Sequence, residues 1–305
     1  MSEHPQFDFP EVSSLPRLSP EHRRRRVVFV ASPTPDPLEL VGPLNVLKIA
    51  NFVLDHSGRS DLGYDLEVVA SVPGVVFEMD GLEIRAEKPY HRLRGEVDTL
   101  LFSPMEFDDL FDRSDRFLAW VRRMSGRVRR IGTICWATYI LAEAGVLSGR
   151  RVTTHWDHER AFRERYADVE LDIDPIYVKD GNVYTSAGAT AGIDMMLALI
   201  EEDFGAPVAL RVAQALVLFL KRPGDQAQFS VQLSSGLPED AGIAAVQGYI
   251  HEHPEADLRL EVLADRAGMS PRNFSRAFKK EVGLPPGQYV ERYRLEIARQ
   301  RLQDS

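Results

Sequence analysis

RRIGTICWATYILAEAG (129–145) is the stretch whose reading decides the fold. RRIGTIC (129–135) is a short strand-forming run that ends on the chain's single cysteine, Cys135. WATYILAEAG (136–145) then takes up helical apolar spacing and stops at Gly145, glycine being the usual residue just past a helix end. Upstream, VDTLLFS (97–103) is nearly continuous in apolar residues, the mark of a strand buried on both faces. A helix is expected around 114–126. Further back, VVFVAS (27–32) reads as a strand, PLELVGPLNVLKIANFVL (37–54) as a helix, and YDLEVVAS (64–71) and LEIRA (82–86) as strands. Downstream come a strand at RRVTTH (150–155), a helix at HERAFRERY (158–166), and a hairpin at IYVKDGNVYTSA (176–187) turning at Asp180-Gly181. Two apolar helices follow, at 192–205 and 208–220. Strands alternating with helices predict an α/β fold: a flavodoxin-like parallel sheet with helices on both faces, over residues 27–223.

The flanks differ. Residues 1–26 are rich in Pro, Glu and Ser and end in HRRRR, and read as a flexible tail. Residues 224–242 hold Gly, Pro, Ser, Gln and Asp with little periodicity, as a linker does. From 243 to 305 every segment has helical spacing, which predicts a small all-α domain.

Hydrophobic content of 44% and charged content of 27% are those of a soluble globular protein. The longest apolar stretches are broken by charged residues or Gly before the ~18 residues of a membrane span. A single cysteine leaves no internal disulfide framework, and residues 1–26 lack the apolar core of a secretory signal, so a cytoplasmic location is expected. The net charge of −9 hides an asymmetry. Between 266 and 301 nine basic residues face three acids, a local +6, and the rest of the chain carries −15. A basic patch on an acidic body suits a phosphate-binding module joined to a separate domain. By charge alone, a solvated helical face fits as well.

Pattern separates the two. IAAVQGYIHEH (243–253) and RLEVLADRAG (259–268) read as helices, the second closed by Gly268. Ser270 then caps a third, with Pro271 at its first position. Along it Phe274, Ala277, Phe278 and Val282 share one face, and Arg272, Asn273, Ser275, Arg276, Lys279 and Lys280 point away. Short helix, glycine-containing turn, and a helix showing Arg and Asn at its start make a helix-turn-helix. Arg bonds guanine and Asn adenine through paired hydrogen bonds, while Lys usually meets phosphate. The run LADRAGMSPRNFSRAFKKEVGLPPGQYVERYRLEIARQRL resembles the first helix-turn-helix of the AraC/XylS regulator family. That resemblance implies a DNA operator as partner, with Arg272, Ser275 and Arg276 reading bases. Members normally carry a second such unit where this sequence reaches Ser305, so weaker DNA binding is expected of the chain as given.

In the first domain, Cys135 sits where α/β folds place nucleophiles, a sharp strand-to-helix junction. His155 lies twenty residues on, within THWDH, and Glu39 is expected in the first strand-to-helix loop. Loops at one edge of a parallel sheet bring such distant residues together. A lone buried cysteine is the plainer alternative. ELVGPLNV, CWATYILAEAGVLSGRRVTTHW, YTSAGATAGIDMMLALIEEDFG and RPGDQAQFS together resemble PfpI-like, class I glutamine amidotransferase-like domains, and more narrowly the subgroup fused to AraC-type modules. The resemblance makes Cys135, His155 and Glu39 the counterparts of a reactive centre. It also shows a departure: Pro104 and Met105 stand where catalytic members have a Gly-Gly pair, and proline has no N–H to give an oxyanion. The expectation is a non-catalytic pocket of Glu39, Met105, Cys135, Trp136, His155 and Trp156 that senses an effector such as an amino acid or amine. A homodimer is expected, with no cofactor, metal or membrane partner. The competing reading is a cysteine-dependent hydrolase or hydratase of the same superfamily.

Overall fold

The structure, a computed structural model, describes residues 24–31, 36–70, 76–79, 82–86, 88–104, 114–218, 222–225, 228, 238 and 240–303. The chain forms two compact units that part after Gln228.

The first unit is built on β1 (Arg25–Ala31), β2 (Tyr64–Ala70), β5 (Lys88–Pro89), β6 (Thr99–Phe102), β7 (Arg130–Ile134), β10 (Tyr177–Asp180) and β11 (Val183–Ser186), ordered β10-β11-β7-β6-β1-β2-β5. All neighbours are parallel except the β10–β11 hairpin. The central run β2-β1-β6-β7-β11 is the flavodoxin-like order. Burial explains why these segments read so clearly: Val27 to Ala31 and all of β6 and β7 are buried. A separate antiparallel pair, β3 (Val76–Met79) and β4 (Leu82–Arg85), takes the LEIRA strand out of the main sheet.

Helices cover both faces. α1 (Pro37–His56), α5 (Ala189–Phe204) and α6 (Ala206–Ala215) pack on one, burying Leu40, Leu47, Leu54, Met195, Met196 and Ile200. α2 (Asp115–Ser125), α3 (Thr138–Glu143) and α4 (Glu159–Arg165) cover the other, around Phe102, Phe117, Leu141 and Phe162. Each such side chain contributes about 1.5–3 kcal/mol by leaving water. α1 has the length and mean hydropathy of a membrane span, yet it is a core helix of this face. Gly192 lets α5 approach closely, since a Cβ there would lie 3.2 Å from both Ile134 and Pro43.

Several boundaries differ from the sequence reading. Arg25 and Arg26 open β1 rather than closing a tail, and Arg24 is already fixed by Asp65. Edge positions reward them: Arg26 binds Glu67 at 2.6 Å and Arg25 lies near Asp98 and Asp203. The strand expected at 150–155 shrinks to β8 (Arg151–Val152), paired with β9 (Glu170–Leu171) outside the main sheet. Residues 153–155 instead make hydrogen bonds outside any strand ladder, as described below. Gly224 and Gln228, read as linker, pack on the first unit: Gly224 O accepts from Tyr177 N and Gln228 N donates to Asp174 O.

At the amino ends of the strands Asp203, 1% exposed, collects Arg130 at 2.8 Å, Arg129 at 3.0 Å and the Tyr64 hydroxyl at 2.9 Å. This ion cluster lies at the edge opposite Cys135, which follows the carboxyl end of β7.

The second unit is helical: α7 (Ala241–Glu252), α8 (Leu260–Arg266), α9 (Pro271–Val282) and α10 (Pro286–Gln303). Its core joins Ile243, Val246 and Ile250 to Leu263, Phe274, Phe278 and Tyr289. Tyr289 is fully buried, and its hydroxyl is satisfied by Gln247 Nε2 at 3.1 Å and His251 Nε2 at 2.7 Å.

Candidate functional site

Cys135 leaves β7 with φ +57°, the left-handed region that costs a non-glycine residue about 1–3 kcal/mol. The strain is held by threonines. Thr138 Oγ1 lies 3.0 Å from the Cys135 carbonyl oxygen and 3.1 Å from that of Thr153, its one proton shared between them. Thr154 Oγ1 donates to the same Cys135 carbonyl at 3.2 Å. Behind them Thr133 Oγ1 meets Thr138 Oγ1 at 3.0 Å, and Thr185 Oγ1 accepts from Thr153 N at 2.8 Å. None of the five stands out in the sequence as a site residue. The signal lies in TT at 153–154 and in one buried threonine on each of β7 and β11.

Glu39 stands in the first turn of α1, not in the loop before it. Asp36 caps that helix, accepting from Leu38 N at 2.9 Å, so Pro37 starts the helix and Glu39 falls inside it. Its side chain is buried and hydrogen-bonds the Cys135 thiol. Burial raises the Glu39 pKa to about 7, the bond to Cys135 lowers it in part, and the Asp36 charge raises it further. Burial likewise pushes the Cys135 thiol far up, and the Glu39 charge and hydrogen bond add to it; only the Trp136 backbone amide favours the thiolate.

His155 caps the 3₁₀ turn Trp156–His158, its Nδ1 accepting from the Asp157 amide at 3.4 Å. Burial lowers its pKa, and Asp157 opposes this. The turn is clamped by Gln228, which donates to Thr154 O at 2.8 Å and Thr153 Oγ1 at 3.2 Å and accepts from Trp156 N at 3.2 Å. Around the elbow the rings gather: Trp136 is 5.0 Å from His158, Tyr139 5.9 Å from His158, and His155 5.4 Å from Trp156. His158 and Tyr139 join a group that the sequence reading limited to Trp136, His155 and Trp156. Trp156 is 48% exposed, whereas Cys135 is 7% exposed. Pro104, two residues past the end of β6, is buried. Met105 lies outside the described residues.

The helix-turn-helix is α8 and α9. Ser270 Oγ accepts from Asn273 N at 3.4 Å, and α9 ends on Gly283 at φ +82°, a left-handed cap. Phe274, Phe278 and Val282 are buried, while Arg272, Asn273, Arg276, Lys279 and Lys280 are exposed and Ser275 is half-buried. Arg276 donates to Asn273 Oδ1 at 3.2 Å, so two of the candidate base-reading groups are paired in the free protein.

Residues 25–202, more than half of the chain, match the DJ-1/PfpI family, and residues 263–305 match a helix-turn-helix domain. The chain belongs to the DJ-1/PfpI family. The HTH-type transcriptional regulator CdhR of Pseudomonas aeruginosa is 29% identical over 279 residues, covering 91% of this chain and 80% of that protein. Isonitrile hydratase of Pseudomonas putida is 30% identical over 238 residues, 78% of this chain and 94% of the enzyme. The chain spans about half the length of other curated regulators it matches. Among solved structures, an AraC family transcriptional regulator from Pseudomonas putida shares the first unit's fold with TM-score 0.54 and 19% identity, over 63% of this chain and 99% of that one. A PfpI-like sensing domain followed by a helix-turn-helix makes this chain a DNA-binding transcription regulator. The fold by itself does not decide about catalysis, because this DJ-1/PfpI chain has both regulators and an enzyme as relatives.

Proposed function

We propose that the Cys135 elbow of this regulator binds an effector without turning it over, and that α9 reads the operator. The observation that carries the first part is the charge environment of the thiol. Burial opposes ionisation of Cys135 most, the charged groups acting on it, Glu39 and Asp36, are both acids, and only the Trp136 backbone amide favours the thiolate. A nucleophilic cysteine needs a cation or a base that stabilises the thiolate. His155 turns Nδ1 to the Asp157 amide, and burial lowers its pKa against the pull of Asp157. An acid flanked by aromatic rings suits a cationic or hydrogen-bonding nitrogen compound, an amino acid or amine, through ionic and cation–π contacts. Glu39, Cys135, Trp136, His155 and Trp156 would form that site. On α9, Arg272, Asn273, Ser275 and Arg276 would contact bases and Lys279 and Lys280 phosphate, in a cytoplasmic homodimer.

The test pairs thermal shift with operator binding on the full protein, against a panel of amino acids and amines. An effector should raise the melting temperature and change operator affinity, and Glu39→Gln should abolish both. The hydratase reading has one observation in its favour, the positive φ of Cys135. Turnover of an isonitrile or amide, lost in Cys135→Ala, would establish it.

A further inference from the structure

Twelve of the twenty described arginines of the acidic first unit have an ion pair among the described residues. Arg24, Arg26, Arg129, Arg130, Arg151 and Arg222 each meet a carboxylate within 3.1 Å. Arg116, Arg123 and Arg127 do not: among the described residues none of them has an ion pair. They stand at i, i+7 and i+11 along α2 and the turn after it, so they share one side of the helix. They line a cavity of about 530 Å³ whose other wall is the segment before β6, with Arg94 and Gly95. Tyr90 and Trp120, both buried, form its floor, with ring centroids 4.9 Å apart. Among the described residues the lining contains no carboxylate.

Helix-end electrostatics accounts for only part of this. Arg123 lies in the last turn of α2, where a cation is favoured, but Arg116 lies in the first, where the macrodipole opposes it. Arg123 and Arg127 are four apart, and a like-charge pair at that spacing repels by a few tenths of a kcal/mol. Arg94 is held in place, its Nη1 donating to the His91 and Leu93 carbonyl oxygens at 2.9 Å each. Four arginines lining a concave, aromatic-floored space of this size match a small polyanion, since the planar fork of arginine binds phosphate oxygens in pairs. The cavity is distinct from the cysteine elbow: it adjoins the segments entering β6 and β7, whereas Cys135 leaves the opposite end of β7.

We infer that this cavity is a second ligand site, for a phosphorylated small molecule carrying at least two negative charges. The site gives the regulator an input independent of the elbow.

Calorimetric titration of the full-length protein with inorganic pyrophosphate and with ATP tests it. Binding should appear with one site per chain, weaken steeply with salt, and fall at least tenfold in Arg116→Ala/Arg123→Ala. Cys135→Ala and the surface control Arg160→Ala should leave it unchanged. These arginines are exposed, so circular dichroism and melting of the double variant should match the parent. Absence of binding at millimolar probe, or equal loss in Arg160→Ala, overturns the assignment. So does the outcome in which the double variant loses non-operator duplex binding while the parent binds neither probe, which would make the arginines a polynucleotide contact.

Discussion

The Glu39 carboxyl, from the first turn of α1, hydrogen-bonds the Cys135 thiol, from the strained turn that ends β7. Two acids thus meet across the carboxyl edge of the sheet, with one proton between them favoured over none. A carboxyl at about 7 next to a thiol pushed far up means the pair gains or loses charge at Glu39 near neutral pH.

Stability should therefore fall as pH rises through that range. Folding raises the Glu39 pKa above its unfolded value of 4.5, so the native state holds the proton more tightly and the penalty is absent below 4.5. It grows between 4.5 and about 7 and then levels off, with a ceiling of ~3 kcal/mol for such a displacement. Glu39→Gln keeps a hydrogen-bonding group and removes the charge. Its melting temperature should drop less between pH 5 and pH 8 than that of the parent, and should exceed it at pH 8. A parallel pH dependence in both proteins would show that other groups dominate.

Cys135 should be sluggish toward alkylating agents. A thiol pushed up by burial and by Glu39 presents little thiolate at pH 7, and only the thiolate reacts. Iodoacetamide labelling followed by intact mass should proceed at least tenfold more slowly than with free cysteine. Glu39→Gln removes the adjoining charge and should quicken it. Labelling as fast as a free thiol would point to a catalytic cysteine and against the effector reading.

On α9, Arg276→Ala should weaken operator binding by about 1–3 kcal/mol and relax sequence preference, whereas Lys279→Ala should weaken specific and non-specific DNA alike and lower the salt slope by about one. Fluorescence anisotropy with operator and random duplexes at several salt concentrations distinguishes these. Arg276 must first leave Asn273, so Asn273→Ala should cost less than an isolated adenine contact would.

Much of this is legible in the sequence. β1, β6 and β7 are buried on both faces, so their apolar runs stand out, and the face of α9 bearing Phe274 and Phe278 is set by helical spacing alone. The Cys135 elbow was visible because a strand pattern changes to a helix pattern at one residue. The stretch 150–155 misled because Thr153 and Thr154 are β-branched, yet they bond Pro175 O, Cys135 O and Thr185 Oγ1 rather than a strand. Gln228 was invisible for a different reason. It sits in polar, aperiodic sequence, and its three side-chain hydrogen bonds reach more than seventy residues back.

The last prediction concerns the far edge of the sheet. Asp203 is 1% exposed and is held by Arg130, Arg129 and the Tyr64 hydroxyl, and Arg130 is itself only 4% exposed. Removing one partner of a buried pair leaves the other charge without compensation, which typically costs 3–5 kcal/mol, roughly. Asp203→Ala should therefore lower stability by about that amount and disturb α5 at its C-terminal end. Glu202 already pairs with Arg130 at 2.8 Å and also serves Lys179 at 2.7 Å and the Tyr184 hydroxyl at 2.8 Å, so it offsets only part of the loss. The exposed pair Arg160–Glu164 has similar geometry, at 2.9 Å, so Glu164→Ala is the control and should shift stability by less than about 1 kcal/mol. Urea unfolding of both variants decides the matter. Equal midpoints would mean that water reaches the Asp203 cluster and that burial is not what gives this ion pair its weight.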